Sequence, residues 1–378
     1  MSVGTNSVVT NGEEPVSGFV PQFRPEHGSA TAWTVLRPGG DLEPGRSPTL
    51  DGERLRAAYE LMLFSRAFDE KAFSLQRQGR FGTFSPVRGQ EASVVGAAFA
   101  LDPARDWVVP QYRELPALLN QGLPLEQFML TFLGDPRGGR APDEVNVLPI
   151  QIGLAAQLPQ AVGLAWGLAR QRRDAVVMVF CGDGATSEGD FHEACNLAGV
   201  VRAPVVFLVQ NNGWAISTPR ARQSAAASLA ARAPGYGMAG ALVDGNDLLA
   251  VHEVASNAVE RARSGGGPTL VETLTYRLGD HNTADDATRY RPTDDLAAWE
   301  PRAPLARVHT HLRSRGLWDD PHNAAVRERI AQRIEEAVRT VEAVAPPGVE
   351  HVFAHVTETP SPRLQAQLAE LQAHGGPR

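Results

Sequence analysis

Ala175-Val-Val-Met-Val-Phe180 runs into Cys181-Gly-Asp-Gly-Ala185; Ser187-Glu-Gly-Asp190 opens a helix to about Gly199, and Pro204-Val-Val-Phe-Leu-Val209 follows. The first six residues are apolar without alternation, the mark of a strand covered on both faces. The glycines and aspartate after them make a turn. Ser187 and Asp190 have the S-x-x-D form of a helix N-cap box. The second apolar run is another buried strand. Strand, glycine turn, helix and strand make a βαβ unit, so the two strands are parallel and the crossover right-handed.

Working outward, Leu158 to Arg173 reads as a helix with small residues that permit close packing, Leu248 to Arg263 as a helix and Thr269 to Tyr276 as a strand. Upstream, apolar positions from Leu55 to Phe73 recur at helical spacing between Gly52 and Gln78, and Gln90 to Leu101 is an alanine-rich helix closed by Pro103. Leu115 to Leu133 reads as a helical pair around Gly122-Leu-Pro124. Downstream, Ile334, Val338, Val341 and Val344 fall on one face of a late helix. The expected fold is α/β: a doubly wound, mainly parallel sheet flanked by helices, over residues 51–345. Residues 1–50, rich in Gly, Pro, Ser and Thr, read as a flexible or wrapping N-terminal extension, and 346–378 as a C-terminal tail.

Composition narrows the function. Of 36 basic residues only Lys71 is a lysine, and it lies in a helical pattern with no glycine-rich loop beside it. That argues against pyridoxal-phosphate, P-loop and kinase chemistry, which need a lysine in a defined setting. The net charge of −7 and the lack of a basic stripe give no reason to expect nucleic acid. Cys181 and Cys195 form no CxxC motif and read as buried thiols. No segment is long and apolar enough to span a bilayer, and Met1 to Glu14 lacks the pattern of a secretory signal, so the expected location is cytoplasmic, without a membrane partner.

In open α/β sheets ligands bind beyond the carboxyl ends of the strands. Here those ends carry Gly182-Asp-Gly-Ala185 and Gln210-Asn-Asn-Gly213. Alone, either motif is an ordinary turn. Together, on adjacent strands, they set Asp183 beside Asn212. A carboxylate, an amide oxygen and the backbone carbonyl of Trp214 suit a magnesium ion that takes its other oxygens from phosphates. The glycines let a ligand approach, and the N–H groups at the start of the next helix favour an anion. The spacing is not the G-x-G-x-x-G of a dinucleotide site.

Gly182-Asp-Gly-Ala-Thr-Ser-Glu-Gly-Asp190 with Gln210-Asn-Asn-Gly-Trp-Ala-Ile-Ser217 resembles the thiamine-diphosphate signature, and in particular the alpha subunit of the decarboxylating component of 2-oxo acid dehydrogenase complexes. Arg77-Gln-Gly-Arg80, Gly89-Gln-Glu91, Gln111-Tyr-Arg-Glu114, Gln157-Leu-Pro-Gln-Ala-Val-Gly163, Val243-Asp-Gly-Asn-Asp247 and Tyr276 to Asp286 look like further family segments in the family's order. The likeness covers roughly residues 30–345. Asp285-Asp286 and Arg289-Tyr-Arg291 are similar to the branched-chain (2-oxoisovalerate) enzymes, where pyruvate dehydrogenase alpha subunits typically have Asp-Pro.

The resemblance implies the thiamine-diphosphate-binding fold, with thiamine diphosphate and Mg²⁺ as cofactors. Asp183, Asn212 and the Trp214 carbonyl would ligate the metal. Gly184 and Ala185 would offer backbone N–H groups to the diphosphate. Gln111, Tyr112 and Arg113 would line its phosphate and substrate side. Leu154 would pack on the cofactor beside Ile152, which stands where relatives commonly have serine. Phe84 and Tyr112 would face substrate, and His281 would serve at the mouth as acid and hydrogen-bond donor. Gln210 stands where relatives often have a charged residue. The segment from Arg140 to Pro149 is shorter than in relatives and lacks their usual histidine. The implied partners are a beta subunit, in a tetramer of two alpha and two beta chains, and a lipoyl-bearing acyltransferase core. The expected reaction is oxidative decarboxylation of a branched-chain 2-oxo acid with reductive acylation of the lipoyl group. A pyruvate or acetoin dehydrogenase alpha subunit, or a non-catalytic subunit retaining the fold, are the alternatives.

Overall fold

A computed structural model describes residues 32–354 and 356–374. Five parallel strands form the central sheet: β1 (Trp107–Val109), β2 (Val177–Gly182), β3 (Val205–Asn211), β6 (Ala239–Asp244) and β7 (Thr269–Leu274). They stand in the order β1-β2-β3-β7-β6. A short antiparallel ribbon, β4 (Trp214–Ala215) with β5 (Thr218–Pro219), follows β3. The α/β class expected from the sequence is the one observed.

The unbroken apolar runs of β2 and β3 have the cause inferred for them. Met178, Phe180, Val206 and Leu208 enter one core, shared with α2 (Glu91–Ala98) and α7 (Leu248–Arg263). Val177, Val179, Cys181, Val205, Phe207 and Val209 enter a second, shared with α5 (Gln157–Arg170) and α6 (Gly189–Val201). Successive side chains point to opposite faces, so a strand between two helical layers must be apolar throughout. Cys181 and Cys195 lie in this second core as free thiols. Burial pushes both thiols up, Cys195 to about 12. α2 lies close on α7 because Gly96 faces it: a Cβ there would come within 2.9 Å of the Leu248 carbonyl oxygen and of Val251. α1 (Gly52–Arg77), α3 (Leu115–Asn120), α4 (Leu125–Phe132), α9 (Pro304–Ser314) and α10 (Asp320–Glu342) also contribute to the first core; α8 (Thr293–Trp299) and α11 (Pro362–Ala373) complete the α-helices among the described residues.

Three expectations shift. The Ser187 cap box does not form. Residues Asp183–Ser187 make a 3-10 turn, and α6 starts at Gly189 after Glu188, with no side-chain cap. Of the proposed extension, residues 1–31 lie outside the described residues, but 32–50 are part of the domain rather than a flexible arm. Val35, Leu36 and Leu50 are buried in the core. The Trp33 N–H donates to the Leu242 carbonyl (2.9 Å), and those of Val35 and Leu36 to Asp247 Oδ2 (2.7 and 2.6 Å). A polar composition hid three apolar anchors whose partners lie some 200 residues away. Finally, the tail carries the helix α11, which has no buried residue. β1 and β6 escaped the sequence reading because the first is three residues long and the second begins with Ala-Gly-Ala.

Candidate active site

β2 and β3 are in register up to Gly182 opposite Gln210, so the next residues of both strands emerge together at one end of the sheet. They open onto a cavity of about 520 Å³. Gln111, Tyr112, Arg113, Ile152, Leu154, Asp183, Gly184, Ala185, Asn212, Trp214 and His281, all named from the sequence, line it. Phe84 does not. Its ring is buried among Phe68, Phe81, Phe128 and Phe132. Thr83 and Ser85 on either side reach the cavity, as does Phe132. An extended segment alternates its side chains, and this one turns Phe84 into the aromatic core. Its backbone still serves the site, exchanging two hydrogen bonds with Thr283.

Asp183 is 1% exposed. Its Oδ2 accepts from Gln223 Nε2 at 2.9 Å, and its Oδ1 is buried without a hydrogen-bond partner. Desolvation raises this carboxyl to about 6, against the lowering pull of Gln223 and of the backbone N–H groups of Asp183 and Asn212. A buried carboxylate with an orphaned oxygen lacks a positive partner. Asn212 Oδ1 accepts from the Trp214 N–H (3.2 Å), while its amide nitrogen donates to Gln90 (3.1 Å). Among the described residues no group of three or more His, Cys, Asp and Glu is placed to hold a metal. A cation here draws on one carboxylate, an amide and a carbonyl, plus oxygens brought by its ligand, which is the donor set of magnesium with a phosphate compound. Around Gly182 there is open space: a Cβ would meet nothing within 4 Å. The residues fit the magnesium and diphosphate implied above.

Glu114 organises the opposite wall. Its buried carboxylate accepts from the backbone N–H groups of Gln111 (3.0 Å) and Arg113 (2.9 Å) and from Gln210 Nε2 (2.6 Å). Burial raises its carboxyl despite these donors. Gln111 in turn accepts from the Gly182 N–H at 3.2 Å, tying the loop after β1 to the end of β2. Gln210 thus spends its amide on Glu114. No task for Glu114 is legible in the sequence, because the Gln210 side chain that anchors it lies 96 residues away on β3.

His281 stands on the loop after β7. Arg113 Nη2 and Arg277 Nη1 both lie 3.3 Å from its Nδ1. Two guanidinium donors make that nitrogen an acceptor, leaving Nε2–H as the donor. Burial, then Arg113, then Arg277 lower the ring to about 3. His281 is therefore neutral near pH 7. Of the two roles expected of His281, acid and hydrogen-bond donor, this geometry favours the donor. Polar contacts anchor the loop. Asp285 accepts from the His281 N–H (2.8 Å) and the Tyr290 hydroxyl (2.5 Å), and Arg277 donates to that hydroxyl (2.7 Å) and to the Ile216 carbonyl (2.8 Å). Arg291 donates to the carbonyls of Arg277 and Gly279. Arg277, fully buried, was missed as an organiser; only its position inside Tyr276-Arg-Leu-Gly279 hinted at it.

A parallel sheet wound with helices, with a cavity beyond its strand ends lined by a buried carboxylate, an amide and glycines, is the arrangement of an α/β enzyme that takes its ligand at the strand ends. Residues 59–350 match the family described as "Dehydrogenase E1 component". The chain is 45% identical over 325 residues to the 3-methyl-2-oxobutanoate dehydrogenase subunit alpha of Mycobacterium tuberculosis, covering 86% of this chain and 88% of that one. It is 44% identical over 297 residues to the pyruvate dehydrogenase E1 component subunit alpha of Bacillus subtilis, covering 78% and 80%. The chain belongs to the dehydrogenase E1 component family, in agreement with the resemblance to thiamine-diphosphate-dependent 2-oxo acid dehydrogenase alpha subunits seen in its motifs.

Proposed function

We propose that the chain is the alpha subunit of a branched-chain 2-oxo acid dehydrogenase, acting with Mg²⁺ and thiamine diphosphate. The observation that carries the cofactor reading is the desolvated Asp183, with its orphaned oxygen, beside Asn212 at the ends of adjacent strands. Asp183, Asn212 and the Trp214 carbonyl would hold the cation, and Gly184 and Ala185 the diphosphate. When bound, thiamine diphosphate supplies the nucleophilic carbon and the electron sink for decarboxylation. The chain's own residues bind, orient and exclude water. Glu114 fixes the backbone of Gln111 to Arg113. Arg113 and Arg277 hold the His281 ring, so that its Nε2–H donates toward oxygen on the substrate or acyl group.

Substrate class is read from the walls. Phe132, Ile152, Leu154 and Ile216 give the cavity aliphatic and aromatic surface, which favours a branched side chain over a lone methyl group. Relatives of both the branched-chain and the pyruvate type have similar identity, so the pyruvate type is the second reading. The partners proposed are a beta subunit, in a tetramer of two alpha and two beta chains, and a lipoyl-bearing acyltransferase core. Reconstitution with the beta subunit and a panel of 2-oxo acids tests the assignment. Branched substrates should give the higher kcat/KM, and a preference for pyruvate would replace the first reading with the second.

A further inference from the structure

One loop supplies more to this site than a carbonyl. After Gly213 the chain forms the β4–β5 ribbon, and the Arg220 N–H bonds back to the Gly213 carbonyl at 2.9 Å. A 3-10 turn, Arg220–Arg222, then delivers Gln223, whose N–H donates to the Arg220 carbonyl at 3.0 Å. The Arg220 guanidinium ties down the chain beyond, donating to the carbonyls of Ser224 (3.1 Å) and Ala226 (2.6 Å). The Gln223 amide nitrogen donates to two acceptors, the Thr218 carbonyl at 3.1 Å and Asp183 Oδ2 at 2.9 Å. Both are acceptors only, which fixes the orientation of the amide. Its Oε1 is buried with no partner, like Asp183 Oδ1. Gly184 explains how the loop comes so near: a Cβ there would lie 2.7 Å from the Ala215 Cβ and 3.7 Å from Gln223 Oε1. Any side chain at 184 would push this loop off the aspartate.

We propose that Gln223 is a positioning residue for the cation site: it pins one oxygen of Asp183 so that the other is held ready for the divalent ion. This rests on the reading of Asp183 as a metal ligand. A carboxylate held by a single oxygen keeps its second oxygen at a fixed place, and that lowers the ordering cost when a cation arrives. The unpaired Gln223 Oε1 is a buried acceptor awaiting a donor. A water on magnesium, which sheds its waters reluctantly, is a donor of the right kind. Because the same loop follows directly on Asn212 and Trp214, clamping Gln223 to Asp183 also sets the distance between the two ligand-bearing segments.

The test uses the complex with its beta subunit, stripped with a chelator and dialysed. Mg²⁺ is titrated at saturating thiamine diphosphate and followed by calorimetry, and the melting temperature of the stripped complex is recorded. Gln223→Ala and Gln223→Met both remove the donor, and the second keeps the bulk. Both should weaken Mg²⁺ affinity about 10- to 100-fold, as loss of a ligand's hydrogen-bond partner does elsewhere. The melting temperature should stay that of the parent. Asp183→Ala serves as the reference and should abolish the titration. Unchanged Mg²⁺ affinity in Gln223→Met beside a lost titration in Asp183→Ala overturns the role of Gln223 alone. Unchanged affinity in Asp183→Ala overturns the metal reading itself. A lowered melting temperature with proportionate loss in both Gln223 variants shows a merely structural residue and likewise overturns the proposal.

Discussion

His281 owes its chemistry to its neighbours. An exposed histidine would be part-charged at pH 7, but two guanidinium groups at 3.3 Å and burial hold this one neutral, its pKa lowered to about 3. The protonated ring is absent until pH falls far below 6.5, so no step in acyl transfer should show an inflection near pH 6–7 that His281→Gln removes. His281→Ala should lower lipoyl acylation about 10²-fold, the usual loss for one pre-placed donor, while cofactor affinity changes little. Reductive acylation at the parental rate in the complex would reduce His281 to a loop residue.

At the scale of elements, close packing explains several glycines and sets their cost. α6 rests against the segment Ala230–Tyr236, and a Cβ on Gly199 would come to 1.9 Å from the Tyr236 carbonyl oxygen. That segment also sends Arg232 to the Thr186 carbonyl at 2.8 Å, in the turn after Asp183. Gly199→Ala should therefore destabilise by about 1–3 kcal/mol, the range for overpacking a close contact. Denaturant melting of the complex measures it, and a parental midpoint would show that the helix shifts without cost. The failed Ser187 cap belongs here too. The motif has the right letters, but the 3-10 turn Asp183–Ser187 occupies the place where the cap would form. Residues 183–187 follow the needs of the cleft, not of the helix.

Over the whole molecule, long-range contacts join the ends of the domain to its middle. His252 of α7 is 4% exposed and lies 2.6 Å from the Thr49 hydroxyl. Burial, then Arg54, lowers its pKa to about 4. The unfolded chain takes up the proton near 6.5 and the folded chain only near 4. This contribution to stability is complete above pH 6.5 and is lost as pH falls toward 4. It amounts to on the order of 3 kcal/mol, and His252→Asn should flatten that part of the stability–pH curve by the same amount. An undiminished slope in the variant would assign the acid sensitivity to other groups. The mouth of the cavity exposes Ile152, Leu154 and Ile216, at 64%, 40% and 53%. The alpha chain alone should be inactive, because a beta subunit would be needed to close this mouth. Full decarboxylation by the lone chain would refute the two-subunit assembly.

What the sequence determined by itself was whatever depends on neighbours along the chain. The apolar runs at 175–180 and 204–209 set two strands covered on both faces. Their glycine, aspartate and asparagine ends mark the cleft, because strand ends in a parallel sheet must gather there. The tertiary structure alone decided what depends on partners distant in sequence. It placed Phe84 in the aromatic core, joined Glu114 to Gln210 on β3, brought Gln223 back onto Asp183, and packed residues 32–50 into the domain. It also set the charge of His281, since desolvation and two guanidinium groups from separate segments decide that, and neither can be read from a residue's own letter.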